Sequence, residues 1–331
     1  MKAYIVIAIS ILTISCQKKE SGLKHFSSTI EKSINEFRKD DFFTKVNDIE
    51  VLNNQIYFVD KNLAKIFVSN LNLEYVRSFG EYGEGPLQLI SPSWSAISEN
   101  EFFVFDVYTA KMVAFNLANS NEVNSFRIDY LDLGDFFVKK DHLFFSDRDE
   151  DAKPIIKFNF KSQLENKRIG FQDLEEIGKP KRHAVDMGNG FLSIYAENKP
   201  VFEYYDYEGN HLKTFNFSTS TIFKDYLEYT PPPPNISGNT TKAIIRTYKN
   251  TIWQAKFKDN QLYLLILSQK DGQTESNTLV ILNWENENLI PAKIIDLPSK
   301  GWYSRFDVLE SSKRIVAFDE INGAIEIIKI K

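Results

Sequence analysis

Four histidines, one cysteine and a set of regularly spaced aspartates are the residues whose types could do chemistry in this 331-residue chain. Metal binding needs two or more His, Cys or carboxylate groups at short, fixed spacings. His25, His142, His183 and His211 have no such neighbours, so no metal site is expected. His211 closes Glu208-Gly209-Asn210-His211, which reads as a hairpin turn, and His142 begins a strand. His183 follows Lys179-Pro180-Lys181-Arg182 and precedes a strand, which makes it the one histidine able to face a central channel as a base or ligand contact. A solvated loop histidine is its simpler reading. Arg182 and Arg246 could receive anionic groups, with nothing in the sequence to fix their geometry. Asp60, Asp106, Asp147 and Asp319 each stand just after an apolar run. Capping of a turn through Asx hydrogen bonds explains that position. The alternative is a ring of carboxylates on one face that holds a cation, with Asp106 as a candidate contact. Asp147 to Asp151 carries alternate carboxylates, but it lacks the glycine and the distal glutamate of a calcium loop and reads as a solvated hairpin tip. Gly80-x-x-Gly83-x-Gly85-Pro86 has no Lys-Ser/Thr ending and opens no helix, so it is a glycine turn and not a nucleotide cradle. No residue is assigned a catalytic role, and no cofactor is expected.

The elements that must position these residues repeat. Asn54-Gln-Ile-Tyr-Phe-Val-Asp60, then Ala64-Lys65 and Asn70-Leu71, matches Asn100-Glu-Phe-Phe-Val-Phe-Asp106, then Ala110-Lys111 and Asn116-Leu117, at a constant offset of 46 residues. Looser copies follow, each a short apolar run, a polar turn and a second run. The first runs begin at Ile56, Phe102, Leu143, Phe191, Leu262 and Ile315, at intervals of 46, 41, 48, 71 and 53. A four-stranded propeller blade takes about 40 to 50 residues. The interval of 71 is one blade plus an insertion, residues 218–250, that holds the four prolines Pro231 to Pro234. Consecutive prolines favour extended, unpaired backbone, so this part is a loop. Runs such as IYFV and LYLLIL are continuously apolar and too short for buried helices, as expected of strands buried on both faces. The reading is an all-β, six-bladed β-propeller of four-stranded blades. The chain ends after the second run of unit six, so a strand from Lys24–Ile30 or Ile34–Phe43 is expected to close the ring.

The chain opens differently. Met1-Lys2 precedes thirteen uncharged residues, Ala3 to Ser15, too few for a bilayer-spanning helix of roughly 20 residues. This is a signal-peptide pattern. Leu12-Thr13-Ile14-Ser15-Cys16 resembles the lipobox of bacterial lipoproteins, with Leu one place further from the cysteine than that family prefers. The resemblance implies cleavage before Cys16 and lipid attachment to its thiol. The expected organisation is signal peptide 1–15, tether 16–25 and propeller 26–331. Cys16 is the only cysteine, so no disulfide exists. A net charge of −5 argues against a nucleic-acid partner.

Val59-Asp60, Tyr75-Val76-Arg77-Ser78-Phe79-Gly80 and Gly83-Glu84-Gly85-Pro86 resemble the first blade of six-bladed propeller lipoproteins of Gram-negative bacteria, related to NHL-repeat and TolB-like propellers. Leu87-Gln88-Leu89 departs from the Gly-Glu-aromatic that usually follows there. The resemblance implies a propeller in the cell envelope, lipid-anchored at the outer membrane on its periplasmic or surface side. It implies little about activity, because fold does not carry function. Two functions are expected to compete. One is a binding or scaffold module for an envelope protein, peptide or glycan, with Trp94, Trp253, Trp302 and Tyr303 as contact platforms. The other is a lyase or hydrolase working in the central channel.

Overall fold

The computed structural model describes residues 23–37, 42–119, 123–128, 135–147, 153–171, 182–196, 200–223, 252–270, 273–298, 302–309 and 313–331. These form β1 (Lys24–Ile34) and then successive antiparallel groups. Unit 1 is β2 (Val46–Leu52), β3 (Gln55–Asp60), β4 (Lys65–Asn70) and β5 (Tyr75–Phe79). Unit 2 is β6 (Pro92–Ile97), β7 (Glu101–Asp106), β8 (Lys111–Asn116) and β9 (Val123–Arg127). Unit 3 is β10 (Phe136–Lys139), β11 (His142–Ser146), β12 (Ile155–Asn159) and β13 (Leu164–Ile169). Unit 4 is β14 (Arg182–Asp186), β15 (Phe191–Tyr195), β16 (Val201–Tyr205) and β17 (His211–Asn216). There follow β18 (Ile252–Lys258), β19 (Gln261–Lys270), β20 (Gln273–Glu285) and β21 (Asn288–Asp296), then β22 (Tyr303–Val308), β23 (Arg314–Asp319) and β24 (Ala324–Ile330).

Every apolar run singled out in the sequence is a middle strand of its group. In β3, β7 and β23 five consecutive residues are buried, because the sheet is covered on both faces. The fourth strands read differently: Leu164 to Lys167 of β13 are all exposed, as befits an outer edge. Apolar clusters lie between successive groups. Phe103, Phe105 and Met112 of unit 2 pack with Leu143, Phe145 and Ile156 of unit 3. Ile49 and Phe58 of unit 1 pack with Val316, Phe318 and Ile325 near the C-terminus. The first strands touch in a cycle: β2 with β6, β6 with β10, β10 with β14, β14 with β18, β18 with β22, and β22 with β2.

Where separate four-stranded sheets were expected throughout, the described residues form four of them and one sheet of eight, ordered β18-β19-β20-β21-β1-β24-β23-β22. The cause is the length of β1. Its residues Lys24–Ser27 pair parallel with Lys293–Asp296 of β21. Ser28–Ile34 then pair antiparallel with Ile330–Ile325 of β24, with a register break between Ile30 and Lys32. β1 therefore begins at Lys24, inside the span expected for the tether, and joins the two ends of the chain. After β17 a single helical turn, residues 221–223, buries Ile222 and Phe223. The proline run lies outside the described residues, as do residues 1–22.

Candidate functional site

The first strands line the axis. Their side chains alternate, so residues two apart on one strand share a side. Asp48 and Glu50 of β2, Gln254 and Lys256 of β18, and Arg305 and Asp307 of β22 are such pairs. Asp48 is the hub of a buried network. Its Oδ2 accepts from the Ser95 backbone N–H (2.8 Å) and hydroxyl (3.1 Å), and its Oδ1 accepts from Gln254 Nε2 (3.2 Å). Gln254 Oε1 in turn accepts from the Phe306 N–H at 2.8 Å, and Asp307 Oδ2 accepts from the Val51 N–H at 2.6 Å. Lys256 Nζ reaches Glu50 Oε1 at 2.6 Å and Asp48 Oδ1 at 3.8 Å. The Glu50 and Lys256 side chains each keep 17% of their exposure, so water still reaches the pair.

That pair borders a chamber of about 160 Å³, lined also by Ser95, Asp135, Asp186 and the apolar Ile97, Phe137, Val138 and Phe257. Ile97, Val138 and Asp186 are shared with a wider recess of about 630 Å³. The recess is walled by Leu52, by the hairpin residues Ser98 to Glu101 and by Lys139, Lys140 and Asp141. Burial strongly favours the protonated form of Glu50. Lys256 opposes this while Asp48 and Asp307 reinforce it, and the carboxyl is pushed up to about 8. Burial likewise raises Asp307, against the pull of Lys256 and Lys258. For Lys256, burial disfavours the charge, but Glu50, Asp48 and Asp307 together raise its pKa.

The residues picked out by sequence are placed elsewhere. His183 is fully buried: Nδ1 hydrogen-bonds the Asp135 carboxylate and Nε2 donates to the Ile252 carbonyl at 3.0 Å. Both nitrogens are thus committed to the protein. Arg182, its neighbour, lies on the other side of the strand. It donates to Glu203 Oε2 (2.7 Å), to Ser193 Oγ (3.0 Å) and to the Tyr195 hydroxyl, with its guanidinium 3.7 Å from the Tyr195 ring centroid. His183 and Arg182 are therefore not brought together. Asp106 is fully buried, and its carboxylate accepts from the N–H groups of Ile90, Ser91 (3.0 Å), Tyr108 (3.0 Å) and Thr109 (3.1 Å). Asp60 accepts from Thr44, Asn62 and Leu63 in the same way. Asp147 bonds Arg168 at 2.7 Å. His142 bonds Asn166 and His211 bonds Thr214. Trp94 stacks on Phe105, Trp253 and Trp302 meet edge to face, and Tyr303 is fully buried with its hydroxyl on Glu326. Cys16 and Arg246 lie outside the described residues. Among the described residues no group of three or more His, Cys, Asp or Glu is placed to hold a metal ion.

Sequence reasoning passed over Asp48, Glu50, Gln254, Lys256 and Asp307. The available signal was polar residues two apart in the strand that precedes an apolar run, in three different units.

No family profile and no curated protein matches the chain. Solved structures do. A Bacteroides fragilis protein assigned as exported shares 14% identity, covering 93% of this chain and 99% of its own, with a TM-score of 0.59. The β-propeller domain of Cps50 from Myceliophteria thermophila shares 9% identity over 92% of this chain and 100% of its own, with a TM-score of 0.51. At such identity the likeness concerns the fold. With the cyclic contacts of the first strands, it establishes that the chain folds as a β-propeller of four-stranded blades.

Proposed function

We propose that the protein is an envelope lipoprotein, anchored through Cys16, whose propeller binds a protein, peptide or glycan at the recess on one face. In this reading the propeller has six blades, of the NHL or TolB-like kind. The eight-stranded sheet is then two blades, β18–β21 and β22–β24 with β1, joined where β1 touches both. The anchor rests on the lipobox resemblance and the outer-membrane location on the resemblance to propeller lipoproteins; a fold neighbour described as exported is in keeping with export alone.

The observation that carries the binding reading is the recess of about 630 Å³, which shares Ile97, Val138 and Asp186 with a chamber of about 160 Å³. A concave site with a few convergent polar groups is the usual form of a ligand pocket. The walls of the recess are hairpin turns, which a scaffold positions and which carry specificity by side-chain choice. A lyase or hydrolase in the channel would need an acid and a base directed at the substrate. Asp135 and His183 are the pair of residues such chemistry would use, but the second ring nitrogen of His183 is taken by the Ile252 carbonyl. The binding reading is therefore preferred.

The test is capture from native envelope with the full chain and two variants. Asn100→Trp fills the recess, and Tyr108→Ala alters an exposed turn at the opposite end of the strands. A defined partner retained by wild type and Tyr108→Ala but lost by Asn100→Trp supports the reading. Equal capture by all three contradicts it. Incorporation of labelled palmitate into wild type and not into Cys16→Ser tests the anchor separately.

A further inference from the structure

β21 and β24 lie farthest from the axial strands β18 and β22 in their sheet, with β1 between them, so the joint they form is on the rim. Lysines gather there. Lys24 of β1 stands directly opposite Lys293 of β21. Thr29 stands opposite Lys329 of β24, the Lys331 N–H donates to the Ser27 carbonyl at 3.0 Å, and the Ile330 N–H donates to the Lys313 carbonyl at 2.7 Å. Like charges opposed across a sheet cost stability, so folding gives no reason for Lys24 to face Lys293. Elsewhere lysines are neutralised where they stand: Lys45 on Glu320, Lys139 on Asp186, Lys157 on Glu208 and Lys161 on Asp141. At the joint Lys24, Lys293, Lys313, Lys329 and Lys331 form no ion pair among the described residues, and Lys293 lies 5.6 Å from the Phe26 ring centroid. Glu31 is taken by Arg314 at 3.4 Å. That leaves the exposed Asp296 and the backbone carboxylate of Lys331 against these ammonium groups.

β1 also fixes where the tether arrives. Lys24 follows Cys16 by eight residues, which span at most about 28 Å. We propose that the basic joint is a membrane-contact surface that rests on anionic phospholipid headgroups, so that the propeller stands on its rim with both faces free. For the nearness of a bilayer this rests on the anchor reading above. A lipid chain sets distance and leaves orientation open, whereas a basic patch beside it supplies the second signal that holds one side down. Each lysine near an anionic surface strengthens binding by about fivefold, and salt screens the attraction. The recess stays open in this pose, because its walls are residues of units 1 to 4 and not of β1, β21 or β24.

The test uses protein expressed from the full chain, purified from membranes, with its N-terminus read by mass spectrometry. It is reconstituted on phosphatidylcholine vesicles with or without phosphatidylglycerol, both carrying a nitroxide on a headgroup. A fluorophore sits at Ser27→Cys on the rim or at Tyr108→Cys on an exposed face turn. On anionic vesicles the rim label is expected to be quenched well beyond the face label. That excess is expected to vanish in high salt, on neutral vesicles and in Lys24→Gln/Lys293→Gln/Lys329→Gln, and to persist in the control Lys61→Gln/Lys153→Gln. Equal quenching of the two labels, or an excess indifferent to salt and to the triple variant, overturns the proposal. An N-terminus without acyl chains overturns the anchor reading instead. The joint is then judged by sedimentation of Cys16→Ser with the same vesicles. Salt-sensitive binding to the anionic ones, weakened about 100-fold in the triple variant, supports it. No binding to vesicles, or retention on polyglutamate alone, overturns it.

Discussion

Arg182 shows how a single side chain is fixed by burial. Its guanidinium is 2% exposed and satisfied by Glu203, Ser193 and Tyr195, so removing it strands the Glu203 carboxylate in the interface between units 3 and 4. Arg182→Met is expected to cost ~3–5 kcal/mol in urea unfolding. Arg182→Lys keeps the charge but loses the fork and the stacking on Tyr195, and is expected to recover only part of that. An unmoved midpoint for Arg182→Met contradicts the account. Asp106 makes a parallel case. Its carboxylate accepts four backbone N–H groups, and Asn offers one oxygen in place of two. Asp106→Asn is expected to lose ~1–3 kcal/mol by the same measurement. The Asp repeats were legible because Asp60, Asp106 and Asp319 each accept N–H groups of the turn after their run, whereas Asp147 bonds Arg168 instead. The axial network was not, because Asp48, Glu50, Gln254, Lys256 and Asp307 find their partners on other first strands, from 47 to 256 residues away along the chain.

At the scale of elements, legibility follows burial. β3, β7, β11, β15, β19 and β23 were readable because both faces are covered, which leaves an unbroken apolar run. First strands such as β2, VNDIEVL, mix packing and axial residues and leave no clean period. Outer strands such as β13, LENKRI, are mostly solvent-facing. The parallel pairing of β1 with β21 covers only four residues and depends on where two outer edges come to lie, which no local pattern encodes. Hairpin turns carry their own constraint. A Cβ at Gly190, between β14 and β15, would lie 2.4 Å from the Tyr205 carbonyl oxygen. Backbone cannot yield as a side-chain tip can, so Gly190→Ala is expected to destabilise by ~1–3 kcal/mol. A wild-type melting curve for this variant contradicts the close packing of that turn on β16.

At the scale of the whole molecule, the two ends of the chain are held by one strand. A disc of packed sheets without disulfides depends on the last group meeting the first, since an open ring leaves two sheet faces and an edge uncovered. β1 supplies the joint: Thr29 stands opposite Lys329 and Ile30 opposite Ile328. The recess and the axial network both presuppose this closure, because the cavity walls come from units 1 to 4 and from β18. The most direct measurement is therefore a cross-link across the joint. Thr29→Cys with Lys329→Cys, in a Cys16→Ser background, places two thiols on directly opposed residues, within the reach of a disulfide. Under mild oxidation the account predicts complete loss of free thiols within single molecules, with a rise in the urea midpoint that reduction reverses. Thiols that stay free, or cross-links formed only between molecules, would contradict a ring closed by its N-terminal strand.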